Sequence, residues 1–109
     1  MREQHYFLYK IQPVRPAMLT EGPTADEERI IGEHFRYLQA LTEESVVKLA
    51  GRTLTTDYSS LGICIFVAED EAAARALVEN DPAVMGRVMR AEVYPYRVAL
   101  LAEKWGIGE

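Results

Sequence analysis

The sequence is sparing with the residues that staple, ligate and span. It has one cysteine, Cys64, so no disulfide within the chain and no cysteine-rich metal site is possible. It has two histidines, His5 and His34, with no HExxH or paired-cysteine spacing, so no metal site is expected. Neither a GxGxxG turn nor a Walker loop occurs, and no nucleotide or other cofactor is expected. No apolar run approaches the roughly 20 residues that cross a bilayer, and no signal-peptide core follows the charged start Met1-Arg2-Glu3. Basic residues are also in the minority, 12 Lys and Arg against 17 Asp and Glu, for a net charge of −5. That balance argues against sequence-independent nucleic-acid binding, which phosphate neutralisation drives. These absences point to a cytoplasmic protein with neither membrane nor nucleic-acid partners.

What remains is ordinary globular composition: 109 residues, 49% hydrophobic and 27% charged. This is the size of a single domain, here 1–109 with a core over about 5–101, able to bury one core without staples. Cys64 lies within Gly62-Ile63-Cys64-Ile65-Phe66-Val67, a buried-strand pattern that makes it a small core residue rather than a nucleophile.

The order of elements carries the fold. A first strand is expected over Tyr6 to Ile11, ended by Gln12-Pro13. Pro13, Pro16, Gly22 and Pro23 then predict a long loop without regular structure. Thr24 with Glu27 three residues on is a capping-box signature, and Asp26, Glu27 and Glu28 suit the positive end of a helix dipole. The helix should run to about Leu41, with Ile30, Ile31, Phe35, Leu38 and Leu41 on its apolar face. Val46 to Ala50 reads as a second strand and Gly62 to Ala68 as a third, apolar on both faces and therefore central. Asp70 caps a second helix over Glu71 to Glu79, which Asn80-Asp81-Pro82 stops. A fourth strand is expected over about Arg87 to Leu100, with Pro95 inside it, as an edge strand tolerates.

Strand, helix, strand, strand, helix, strand is the ferredoxin-like split βαβ order, an α+β fold with an antiparallel sheet. Both helices cross on one face of that sheet, so the opposite apolar face predicts a homodimer with sheets packed face to face.

Two residues stand out for chemistry. His34 falls in the middle of the first helix's apolar arc, one turn from Ile30 and from Leu38, and so faces the sheet or a pocket. It reads either as a buried, hydrogen-bonded histidine or as a general acid or base. Asp81 ends the second helix, kept out of helical geometry by Pro82. It reads either as the cap of a short turn begun by Pro82 or as the carboxylate that orients His34. Other candidates for ligand contact are Asp57 and Tyr58 in the polar connection and Arg15 on the long loop, each with a turn or solvent role as the plainer alternative. His5 is expected at the surface, and Trp105 is expected to pack on a neighbour or on the partner subunit.

Several of these segments together resemble one family. His34-Phe35-Arg36-Tyr37-Leu38-Gln39-Ala40-Leu41 is similar to the histidine-bearing helix of YCII-related proteins, and Asn80-Asp81-Pro82 is similar to their Asp-Pro step. Glu27-Glu28 after a proline-rich loop resembles longer members, and Val93-Tyr94-Pro95-Tyr96-Arg97 resembles their closing strand. The resemblance implies a dimeric α+β barrel with a His-Asp active site, carried here by His34 and Asp81. It also implies acid/base chemistry, lyase- or isomerase-like, on a small organic molecule. The alternative is a non-catalytic dimeric module for ligand binding or assembly. Many members carry Gly-Pro after the second strand where this chain has Gly51-Arg52. Arg52 is then either a binder of an anionic group at the pocket mouth or a solvated hairpin residue.

Overall fold

The computed structural model describes residues 5–104. Its elements run β1 (His5–Pro13), α1 (Ala17–Thr20), α2 (Ala25–Glu43), β2 (Val47–Arg52), β3 (Gly62–Ala68), α3 (Glu71–Glu79), α4 (Pro82–Met85) and β4 (Met89–Tyr96). The four strands form one antiparallel sheet in the order β2-β3-β1-β4. This is the expected α+β, ferredoxin-like arrangement, with the first and third strands central. Pro95 pairs with Phe7 in the edge strand β4, where a missing donor costs no second ladder.

One face of the sheet carries the core. Phe7 and Tyr9 of β1, Val47 of β2, and Cys64, Phe66 and Ala68 of β3 are buried there against Ala74 and Val78 of α3. Phe66 stacks on Phe7 and meets Tyr9 edge to face. On the opposite face Tyr6, Leu49, Ile63, Tyr94 and Tyr96 are exposed.

α2 begins as its sequence dictates. Thr24 Oγ1 accepts from Glu27 N at 3.1 Å, and Glu27 Oε1 accepts from Thr24 N at 2.8 Å, completing the capping box. The helix does not seal against the sheet, however. None of its residues is fully buried, and Phe35 is 63% exposed. Space therefore remains beneath it.

The expectation of a wholly irregular segment from Pro13 to Pro23 is corrected. Ala17–Thr20 forms one helical turn, with Pro16 already at helical φ −58° ahead of it and Met18 buried beneath. The fourth strand is shorter than expected, since pairing with β1 ends at Tyr96. Trp105 lies outside the described residues.

The seat of α4 depends on a missing side chain. Gly86 closes the helix where a Cβ would meet Ile30 of α2 and the Pro82 carbonyl, each at 3.0 Å. Lacking that atom, α4 packs directly against α2, one turn before His34.

Candidate functional site

Asp81 is the N-cap of α4. Pro82 at the first helical position holds it extended (φ −67°, ψ 126°), and its Oδ1 accepts from Ala83 N at 2.8 Å. The cap and a contact with a histidine meet on one carboxylate. His34 Nδ1 stands 2.8 Å from both Asp81 oxygens, and the Tyr9 hydroxyl donates to Asp81 Oδ2 at 2.5 Å. Asp81 is wholly buried. A buried carboxylate is tolerable only when its lone pairs are used, and here three donors converge on it.

A carboxylate accepts and does not donate, so this contact places a proton on His34 Nδ1. The other ring nitrogen, Nε2, has no hydrogen bond among the described residues, and no buried side-chain nitrogen or oxygen there is left without a partner. Nε2 is therefore accessible. His34 lines a cavity of about 780 Å³ between α2 and the sheet, together with Phe35 and Leu38 of α2, Tyr9 and Ile11 of β1, and residues of β2 and β3. Its walls are mostly apolar, the usual character of a small-molecule site. An imidazole nitrogen with its partner nitrogen fixed can accept a proton from, or return one to, a molecule in that cavity.

Burial and the Asp81 hydrogen bond both push the Tyr9 hydroxyl far above its ordinary range, so Tyr9 stays a neutral donor. Burial, with a smaller contribution from the Asp81 charge, pushes the Cys64 thiol up to about 12. Cys64 lines the cavity and is 4% exposed, and that environment holds it as a thiol rather than a nucleophile.

The remaining candidates divide. Arg52 lines the cavity. Asp57 and Tyr58 do not: Asp57 accepts from Ser59 N and Oγ in a local turn, and Tyr58 is 92% exposed. Arg15 lies outside the cavity too, with its guanidinium engaged. Nε and one terminal nitrogen bind the two Glu27 oxygens at 2.8 and 2.6 Å, and that nitrogen also reaches Gly22 O at 3.1 Å. Arg15 thus ties the loop to the start of α2, and its hydrogen bond holds the Glu27 carboxyl down to about 2. His5 is exposed on β1. Sequence reasoning passed over Tyr9, whose only signal was a hydroxyl in the alternating core row Phe7-Tyr9-Ile11. Among the described residues no cluster of three or more His, Cys, Asp or Glu side chains stands ready for a metal, and no helix is long and apolar enough to cross a membrane.

No curated protein matches the chain. Among solved structures it is similar to 5-chloro-2-hydroxyhydroquinone dehydrochlorinase (TftG) from Burkholderia phenoliruptrix AC1100, in complex with 2,5-dihydroxybenzoquinone. The match has TM-score 0.63 and 22% identity, and covers 84% of this chain and 93% of that one. Residues 8–97 match the YCII-related domain, and the chain belongs to the YCII-related family.

Proposed function

We propose that this protein is an enzyme of the proton-transfer type, lyase- or isomerase-like, acting on a small organic molecule. His34 Nε2 takes a proton from the substrate or returns one to it, while Asp81 fixes the ring and stabilises the imidazolium that forms. The observation that carries this reading is the pairing of His34 Nδ1 with both Asp81 oxygens at 2.8 Å in a histidine that lines a mostly apolar cavity. The dehydrochlorinase that shares the fold lends support, since loss of hydrogen chloride asks for a base beside a leaving group.

The reading includes a homodimer, built from two copies of the uncovered sheet face. Alternation puts Tyr6 and Leu8 of β1 on that face beside their partners Val67 and Ile65 of β3 and Tyr96 and Tyr94 of β4. Lys10 and its partner Glu92 bring opposite charges to the same face. An apolar patch of this kind is covered most economically by its own copy across a two-fold axis. The same face favours the second reading, a module whose role is assembly or ligand binding without turnover.

Turnover separates the two. Halogenated hydroxyquinols, beginning with 5-chloro-2-hydroxyhydroquinone, are screened for halide release and for solvent deuterium incorporation. The enzymatic reading expects His34→Gln to lower kcat by roughly 10² to 10⁴ with the fold retained. Undiminished turnover in folded His34→Gln would remove His34 from the chemistry, and a wild type that turns over none of the probes would leave the assembly module standing.

A further inference from the structure

Building on the acid/base reading, we infer that the cavity takes small, largely apolar molecules bearing one carboxylate, and that Arg52 binds that group. The chain carries 17 acidic side chains, yet among the described residues no Asp or Glu lines the cavity. Arg52 is the one permanently charged side chain among the described residues of its wall. Arg15, Arg29 and Arg75 each hold a carboxylate within 3.3 Å, whereas Arg52 has no ion pair among the described residues. Arg36, Arg87 and Arg97 are likewise without an ion pair among the described residues, but of the four only Arg52 lines this mostly apolar cavity, where its exposed side chain is open to an anion.

The backbone aims it there. Simple alternation from buried Val47 would turn Arg52 to the opposite face of the sheet. The register instead shifts between Val47 and Leu49, so that Leu49 pairs with Ile65 and Ala50 with Cys64. This bulge brings Ala50 and Arg52 to the face where Cys64, Tyr9 and Ile11 lie. Bulges of this kind re-aim side chains beside functional sites.

The same register sets the spacing. Arg52 shares a row with Gly62 and Ile11, while Tyr9, which holds Asp81, shares the next row with Cys64 and Ala50. Two strand spacings sideways and two residues along place the Arg52 and Tyr9 backbones about 12 Å apart. A guanidinium reaching part of that span leaves room for one ring between it and Tyr9, in the cavity that His34 also lines. A single cation matches a monoanion. A phosphate would draw on several cations or a helix start, and the start of α2 is occupied by its own capping box and by Asp26, Glu27 and Glu28.

The test is binding, so it does not depend on turnover. The probes are 2,5-dihydroxybenzoate and 2,5-dihydroxybenzamide, which share ring and hydroxyls and differ in charge, measured by calorimetry against the full chain. The acid binds the wild type at least about tenfold more tightly than the amide, as one charge-assisted fork provides, and added salt narrows the gap. Arg52→Gln brings the two probes within about twofold, Arg52→Lys keeps part of the difference, and His34→Gln leaves it intact. The inference is overturned if the wild type shows no preference for the acid, including no binding of either probe at millimolar concentration, or if Arg52→Gln keeps the preference. An Arg52-dependent preference in a protein without His34-dependent turnover retires the acid/base reading and upholds the anion site.

Discussion

Tyr9 and Asp81 are 72 residues apart in sequence, yet the tyrosine hydroxyl donates to the aspartate at 2.5 Å inside the core. One bond therefore ties the central strand β1 to the cap of α4, and through Asp81 to His34 on α2. The sheet, the short helix and the candidate base are fixed relative to one another by a single carboxylate.

Removing the hydroxyl tests that link. Tyr9→Phe keeps the ring that packs on Phe66 and removes one of three donors to Asp81. A destabilisation of about 1.5–3 kcal/mol is expected in urea unfolding, since one buried hydrogen bond to a charged group is lost. Asp81→Ala should cost more, about 3 kcal/mol or above, because Tyr9 Oη and Ala83 N are then left buried and unpaired. Equal and negligible effects would show that the network does not hold the core.

Acid should act through the loop that Arg15 anchors. The Glu27 carboxyl falls from an ordinary 4.5 to about 2 in the fold, chiefly through its hydrogen bond to Arg15. A depressed carboxylate contributes stability that is fully present above the unfolded value and is lost as pH falls through the folded one. The melting temperature should therefore decline between about pH 4.5 and 2, and Arg15→Met should flatten that part of the decline. A wild-type slope unchanged by the substitution would place the acid sensitivity elsewhere.

Cys64 offers a labelling readout. With its thiol pushed up to about 12 by burial, only about one molecule in ten thousand is thiolate at pH 8. Alkylation by iodoacetamide should be negligible in native buffer and should appear with the unfolding transition in urea. Rapid native labelling would show that the cavity floor opens without unfolding.

The sheet face carries the association prediction. Ile63 lies on the uncovered side and is 36% exposed. Ile63→Glu places a charge there and should convert a dimer to monomer in sedimentation or light scattering, with the far-ultraviolet spectrum preserved. A wild type that sediments as a monomer would contradict the proposed assembly.

Much of this was legible in the chain. The apolar run Gly62 to Ala68 marks a central strand because both its faces are covered by residues of one character. Thr24 and Glu27 mark the start of α2 because capping is local chemistry. His34 in an apolar arc and Asp81 before proline were visible as residues out of place. What stayed hidden depends on distance or register. Tyr9 reads as one more core aromatic until Asp81 arrives beneath it from the far end of the chain. Arg15 reads as a free loop cation until the turn Ala17–Thr20, masked by its flanking prolines, folds it back onto Glu27. The facing of Arg52 hinges on a one-residue shift in β2 that no alternation pattern announces.

The central claim is that Asp81 holds the proton on His34 Nδ1 and leaves Nε2 free toward the cavity. Nitrogen-15 NMR of the imidazole reads this directly. The neutral ring is predicted to carry its proton on Nδ1, against the Nε2 preference of free histidine, and Asp81→Asn is predicted to abolish that bias. A neutral ring protonated on Nε2 in the wild type would contradict the account.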